Sequence, residues 1–352
     1  MSIKKVLATI VGILFMLILF VLPGHAKVIL KLQSGLPLAL PVLGSNVNWI
    51  AEKVKEATNG EVLITVFEPG KIVGAMEILE AVSKGQIEAG YTPSGFWEGK
   101  MSGAAFFTAV PFGPEIPEYI AWMFHGNGLK LYQEMYDSAG YKVKVLPTTI
   151  MSAETSGWYR KKINSPADLK GLNIRFFGLG GKVMKKLGAS VSLLPGSEIF
   201  PALERGAIDA TEFSVPTVDT RMGFYKIAKY NYFPGWHQPS TINEVLINKT
   251  TWDKLSKAHQ TLIEMVCMAA MTYSIAHSEG AQGKVIKENK EKHGVENIYW
   301  SKDMLDLFNK TWLEVAEEEA AKDAFFKKVW LDLKAFRAEY KSWLDLGFLP
   351  RK

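Results

Sequence analysis

Leu172-Asn173-Ile174-Arg175-Phe176-Phe177-Gly178-Leu179-Gly180-Gly181 opens the stretch, ending at Phe213, on which the reading of the fold turns. It starts as an apolar run broken by one arginine, bends at a glycine-rich turn and continues as a helix-like Lys182–Leu187. A second helix-like segment, Ser197–Glu204, stops at Gly206, and Ala207–Phe213 reads as a strand with Glu212 near its end. Strand, tight turn and helix in succession build an open α/β sheet, whose ligands sit beyond the carboxyl ends of the strands. Arg175, at a strand tip, is therefore expected to face a crevice. A guanidinium in so apolar a run cannot be desolvated alone, and it needs a protein acid or a ligand acid as partner. The residues by themselves leave both open.

The pattern continues on either side. Lys27–Gln33 alternates apolar and polar residues and reads as a first strand. Ser45 or Asn46 is placed to cap a helix carrying Val47, Ile50, Ala51 and Val54 on one face and ending at Gly60. Glu61–Phe67 reads as a strand, Met76–Lys84 as a helix and Ile87–Tyr91 as a short buried strand. This alternation implies mixed, mainly parallel sheets covered by helices. Ile78–Ala89 recurs in substance as Ile199–Ala210, a helix, a glycine and a strand in the same order. Two similar α/β lobes explain the repeat. In that register Tyr91-Thr92 corresponds to Glu212-Phe213, so two strand ends are expected to face each other across a cleft. Tyr119–Tyr136 reads as one helix, Tyr141–Leu146 as a strand, Thr251–Lys287 as helical, and the chain from Lys302 to about Leu346 as helix-rich. The expected division is 27–156 mainly in the first lobe, 157–250 mainly in the second, and 251–352 as a helical part packing across both. Crossings are expected at Gly157–Arg160 and near Asn243–Asn248.

Composition narrows the function classes. A hydrophobic content of 48% with 22% charged residues is that of a globular chain. The net charge of +5 is spread over scattered lysine pairs rather than one basic face, which argues against nucleic acid as a partner. Lys4-Lys5, the uncharged apolar run Val6–Leu22 and the small residues Gly24 and Ala26 form a secretory signal over residues 1–26, with cleavage expected after Ala26; an uncleaved anchor is the rival reading. Cys267 is the only cysteine and lies in an apolar run, so no internal disulfide forms and a buried, inert thiol is expected. No nucleophile elbow, zinc-protease motif or phosphate-binding loop is present. A non-enzymatic role is expected.

Ser165-Pro166-Ala167-Asp168-Leu169-Lys170-Gly171-Leu172-Asn173-Ile174-Arg175 resembles the hallmark segment of the extracytoplasmic solute receptors of tripartite ATP-independent periplasmic (TRAP) transporters. Ala207-Ile208-Asp209-Ala210-Thr211-Glu212 and Tyr232-Phe233-Pro234-Gly235-Trp236-His237 are similar to the branch that binds 2-oxo acids and related carboxylates. The resemblance implies a two-lobed periplasmic-binding-protein fold with a helix-rich C-terminus. It implies a periplasmic receptor that closes on a small carboxylate, pyruvate or a lactate-like acid, with a bound Na+ or Ca2+. Membrane permease subunits would be the partner that takes the ligand. Arg175 matches the arginine that grips the substrate carboxylate. Glu212 matches a metal-ligating glutamate, and the next residue, whose carbonyl also binds the cation, is Phe213 where tryptophan is common. Glu154 stands where the branch usually has glutamine, and Gln238 where it has a glutamate, so both join the expected metal set. Phe96, Trp97 and Trp236 are expected as aromatic walls, with core packing as the alternative. The C-terminal helix has two fates, packing across the receptor's own lobes or pairing with a second copy as a homodimer. The rival function is an exported hydrolase or isomerase using Glu154 and Glu212 as an acid–base pair.

Overall fold

The computed structural model describes residues 27–349, so the signal segment expected at 1–26 lies outside the described residues. In chain order the strands are β1 (Val28–Ser34), β2 (Val62–Phe67), β3 (Ala89–Thr92), β4 (Val143–Met151), β5 (Gly157–Tyr159), β6 (Asn173–Arg175), β7 (Ser190–Ser192), β8 (Ala210–Thr211), β9 (Tyr230–Phe233), β10 (Thr241–Asn248) and β11 (Glu296–Tyr299). The helices are α1 (Leu43–Ala57), α2 (Ile78–Ser83), α3 (Ile116–Phe124), α4 (Gly128–Ser138), α5 (Gly178–Lys186), α6 (Gly196–Glu204), α7 (Pro216–Met222), α8 (Lys249–Lys254), α9 (Lys257–His293), α10 (Lys302–Lys322) and α11 (Ala324–Gly347).

Two mixed sheets result, one per lobe. The first has the order β2-β1-β3-β10-β4 and the second β11-β9-β5-β8-β6-β7. The expected repeat is visible in the pairing. β3 lies parallel to β1 and antiparallel to β10, and β8 lies parallel to β6 and antiparallel to β5. The glycines that end the repeated helices, Gly85 (φ 70°) and Gly206 (φ 73°), both take the left-handed conformation that spares glycine a steric penalty.

Several boundaries differ from the sequence reading, each for a local reason. α1 starts before Ser45 and Asn46, because Asn46 is buried and its amide donates to Thr148 O and Thr149 Oγ1 instead of capping. The helix expected over Tyr119–Tyr136 is two helices, broken at Gly126; a Cβ there would lie 2.8 Å from Trp122 O. The long helical run from Thr251 is interrupted at Ser256, whose hydroxyl caps α9 by accepting from His259 N. The first crossing between lobes precedes Gly157, which already belongs to β5, and occupies residues 152–156. β10 belongs to the first sheet, so the return crossing lies at 234–240 rather than within Asn243–Asn248. The two crossing segments are joined by a bond from Glu154 N to Gln238 O of 3.2 Å.

The C-terminal helices hold the lobes together. α9 covers the open edge of β4, where Ser274 Oγ both accepts from Ile150 N and donates to Ile150 O, and Ser278 Oγ accepts from Ser152 N. An edge strand sealed in this way is no longer available for pairing. Farther along, Gln282 and Asn289 of the same helix reach Thr217 and Thr220 of α7 in the second lobe. α10 and α11 bury Phe308, Trp312, Phe326, Trp330 and Leu333 in a core that is continuous with both lobes. No helix among the described residues is long and apolar enough to cross a membrane.

Beneath the cleft floor the first lobe contains a buried carboxylate with no cation beside it. Glu244, fully buried in β10, accepts from Tyr132 and Tyr136 hydroxyls and from Trp97 Nε1. Burial pushes its carboxyl up to about 7, although those three donors pull the other way. The sign of the linkage follows. Below about pH 4.3, the ordinary glutamate value, the group is protonated whether folded or unfolded. From there to pH about 7 only the folded chain keeps the proton, so stability falls as pH rises through that window and then levels off. Glu244→Gln is expected to remove a pH-dependent contribution of about 4 kcal/mol. Denaturation midpoints of both proteins between pH 4.5 and 8 check this; parallel profiles would show that Glu244 does not titrate in the window.

Candidate functional site

The tips of β3, β6 and β8, the two crossing segments and β10 converge on one cavity between the lobes. It has a volume of ≈ 40 Å³ and is lined by Leu36, Leu43, Pro93, Phe96, Thr108, Met151, Glu154, Arg175, Phe177, Phe213, Ser214, Gln238, Thr241 and Asn243. Arg175, Glu154, Phe96, Phe213 and Gln238, all singled out from the sequence, share this wall. Phe96 and Phe177 close it from opposite lobes with ring centroids 5.7 Å apart. The approach depends on Gly95, where a Cβ would lie 2.3 Å from Phe177 Cζ.

Trp97 and Trp236 do not line the cavity. Trp97 turns its Nε1 to Glu244 in the first-lobe core, and Trp236 stacks on Phe308 at 4.6 Å behind His237. Of the two readings open for these rings, the structure shows core packing.

Glu212 stands directly behind the wall and organises it. Its Oε1 takes Arg175 Nη1 at 2.7 Å and Phe177 N at 2.5 Å, while its Oε2 faces His237 Nε2 at 3.3 Å. Arg175 also donates through Nη1 to Glu212 O and through Nε to Leu194 O, and its guanidinium lies over the Phe213 ring at 5.4 Å. These contacts leave Nη2 as the arginine's remaining donor group. So the protein acid and the cavity are both present at Arg175. Burial alone would raise Glu212, but Arg175, His237 and the Phe177 N–H together hold its carboxyl below the ordinary range.

Glu154 behaves oppositely. Burial, followed by the charges of Glu212 and Asp219, drives its carboxyl well above the ordinary range, with Thr241 Oγ1 and Arg175 opposing. Asp219, a buried carboxylate not anticipated from the sequence, is driven up by burial as well, against hydrogen bonds from Trp158 and Thr155. Glu154 Oε1 accepts from Thr241, but its Oε2 has no hydrogen-bond partner, with His237 Nε2 3.9 Å away, and Gln238 Oε1 has no hydrogen bond either. Two orphaned, buried oxygen acceptors on adjacent segments suit a hard cation, which prefers oxygen ligands. His237 joins Glu154 and Glu212 in a set whose ligand atoms all lie within 4.8 Å of one another. Sequence analysis quoted this histidine only as the end of the Tyr232–His237 segment and left it out of the expected metal set; its position beside Gln238 was the available signal. Asn243, Ser214 and Thr108 were missed, since nothing in their sequence neighbourhood distinguishes them from strand and turn residues.

The chain matches the bacterial extracellular solute-binding proteins, family 7, over residues 40–323. It is 37% identical to the monocarboxylate 2-oxoacid-binding periplasmic protein of Nostoc sp., across 84% of this chain and 80% of that one. Its fold superimposes on a TRAP transporter solute-binding protein of Bordetella bronchiseptica, a dimer carrying copurified calcium and picolinate, with a TM-score of 0.88, 29% identity and coverage of 91% and 94%. A TRAP periplasmic solute-binding protein of Pseudoalteromonas atlantica with bound sodium and pyruvate gives a TM-score of 0.86 at 32% identity, covering 90% of this chain and 96% of that one.

The Arg175–Glu212 pair is buried on both sides, at 2% and 0% exposure. Removing one partner of such a pair strands the other charge and costs about 3–5 kcal/mol. Arg175→Met is therefore expected to lower the stability of the ligand-free protein by about that amount. Adding Glu212→Gln is expected to restore part of it. Urea denaturation of the single and double variants measures both; an Arg175→Met protein as stable as the parent would show that the pair contributes nothing.

Proposed function

The chain belongs to the family 7 bacterial extracellular solute-binding proteins, the solute receptors of TRAP transporters, and from this we propose that it captures a small 2-oxo acid, pyruvate or a near relative, together with a cation. The observation that carries the reading is the cavity itself. A guanidinium fixed by Glu212 shares ≈ 40 Å³ with two unpartnered oxygen acceptors, Glu154 Oε2 and Gln238 Oε1. Arg175 Nη2 would take the ligand carboxylate, the charge-assisted contact for which a planar guanidinium is suited. Phe96 and Phe213 would exclude water on either side. Glu154 and Gln238, with Glu212 and the Phe213 carbonyl, would hold Na+ or Ca2+, and the ion would balance the carboxylates gathered around it.

Receptors of this family work with a membrane permease, and opening and closing about the crossing segments 152–156 and 234–240 is the proposed release motion. Export through the segment 1–26, with cleavage after Ala26, would place the mature chain in the periplasm. Binding without turnover is favoured over the acid–base alternative, since the matching family and its monocarboxylate 2-oxoacid-binding relative are solute-binding proteins. A homodimer is also proposed. The end of α11 carries Trp343 (59% exposed), Leu346 (87%) and, just beyond it, Phe348 and Leu349, and a second copy would cover them; the Bordetella relative is itself a dimer.

Titration calorimetry of chelator-treated protein with pyruvate in sodium-free buffer, then with sodium and with calcium, tests the ligand and the ion together. Binding is expected only with a cation present, and the ligand is expected to be recovered unchanged; equal affinity in all three conditions would remove the cation from the site. Arg175→Met is expected to weaken pyruvate by about 30-fold to several thousand-fold, the equivalent of roughly 2–5 kcal/mol. Light scattering on the mature chain, with Trp343→Glu and Leu346→Glu together as the disrupting variant, decides the dimer; a parent protein with monomer mass would overturn it.

A further inference from the structure

Asn243 is a buried group on the cavity wall that the carboxylate and cation contacts leave unused. It sits in β10 at 2% exposure, lines the cavity from the first lobe, and its Nδ2 has no hydrogen-bond partner. Its placement is built rather than incidental. Opposite it β4 carries a bulge, where the register steps from Asn243↔Thr149 to Glu244↔Pro147 and Thr148 is the extra residue. Bulges beside binding sites re-aim side chains, and Pro147 is tolerated because β4 is an edge strand. Thr148 Oγ1 donates to Asn243 O at 3.3 Å, and Asn46 pins Thr148 and Thr149 in turn. Next to it in the strand, Glu244 is fixed by Tyr132, Tyr136 and Trp97. The backbone of Asn243 is thus held on both sides, while its amide, on a cavity-lining residue, has the Tyr91 hydroxyl as a neighbour and an Nδ2 without a full hydrogen bond. Buried polar groups are rarely left in that condition without a use.

Resting on the reading that a carboxylate meets Arg175, we infer that Asn243 is a positioning and selectivity residue that reads the oxygen on the carbon next to that carboxylate. Arg175 and Asn243 face the same small cavity from opposite lobes. An acid gripped by Arg175 therefore turns its second carbon toward the first-lobe wall. A 2-oxo group there accepts from the amide, whereas a methylene leaves a buried donor unpaired. Sites built to hydrogen-bond a ligand oxygen reject the analogue that lacks it far more strongly than apolar pockets reject a missing methyl group. Asn243 would thereby set the preference for oxo acids over plain short-chain acids and tie ligand identity to contact between the lobes.

The test compares pyruvate with propionate, which has the same carboxylate and length but no oxygen on the second carbon. Affinities are measured with sodium and calcium present, by competition where direct titration is too weak, for the parent, Asn243→Ala and the near-isosteric Asn243→Leu. Far-UV circular dichroism confirms folding, and Asn243→Leu carries the test if the alanine variant is unfolded. The parent is expected to prefer pyruvate by about 100-fold or more. Both variants are expected to lose about 10-fold to 100-fold for pyruvate while propionate changes less than about threefold, so that the preference collapses. Loss of the same factor for both acids would make Asn243 a general support of the cavity and overturn the inference. So would unchanged pyruvate affinity. A parent that binds neither acid overturns the carboxylate reading and this inference with it, whereas a parent that binds pyruvate beside an unaffected Asn243→Ala overturns the role of Asn243 alone.

Discussion

A guanidinium at a strand tip in an apolar wall cannot exist there by itself, and much of the cleft follows from how Arg175 is accommodated. Glu212, one residue past the neighbouring strand β8, neutralises it and fixes its rotation. The Phe177 N–H and His237 then fix Glu212, and Phe213 covers the guanidinium face. Each of these residues comes from a strand end or the segment just after one, which is why the parallel pairing of β6 with β8 is needed to bring them together. The pairing does not saturate the arginine. It orients one edge of the fork inward and leaves Nη2 for a ligand, so internal salt bridge and ligand contact, posed as alternatives by the residues alone, are compatible at one side chain.

The oxygens proposed to bind the cation have a different origin. Glu154 and Gln238 lie on the two crossing segments, which are bonded to each other through Glu154 N and Gln238 O. The groups proposed to grip the ligand thus sit on the lobes, and the orphaned acceptors sit on the segments that cross between them. An ion held there would link the two crossings, while the acid would link the lobes. Glu154 supports this division, because burial and neighbouring carboxylates disfavour its charge in the absence of any added cation. Asp219 adds to the same negative excess from behind.

How much of this was legible in the sequence depended on what kind of force placed each residue. Arg175 stood out because a charge in an apolar run is anomalous at the level of single residues. The repeated helix–glycine–strand unit was legible because Gly85 and Gly206 satisfy a local backbone requirement. Glu154, Gln238 and Glu212 were reached through resemblance, since oxygen ligands brought together by topology leave no periodic trace. Tertiary demands defeated the remaining readings. Asn46 looked like a helix cap and is instead a brace under a bulge. Trp97 and Trp236 lie next to cavity residues in sequence, but alternation and ring stacking turn them inward. Asn243 carried no signal, because it reads as an ordinary residue of a buried strand and only the tertiary fold brings it to the cavity.

Closure itself is written into contacts outside the cavity. Lys182 of α5, in the second lobe, reaches Glu98 beyond the β3 tip of the first at 3.0 Å and Glu319 of α10 at 2.5 Å. Burial raises the Glu98 carboxyl, and Lys182 opposes that rise, so the pair has meaning only while the lobes are together. The Phe177 ring resting on the bare Gly95 backbone has the same dependence. Partly exposed ion pairs are individually weak, and the apolar contact between Phe96 and Phe177 is small. Such modest contacts suit a receptor. If the lobes held each other strongly, the closed form would persist without ligand and the cavity would be sealed against entry. If they held weakly, the ligand and ion must supply the difference by joining Arg175 to the first-lobe wall and Glu154 to Gln238. On the proposed reading, orphaned donors and acceptors on lobe, lobe and crossing segment let a molecule of a few atoms tip that balance.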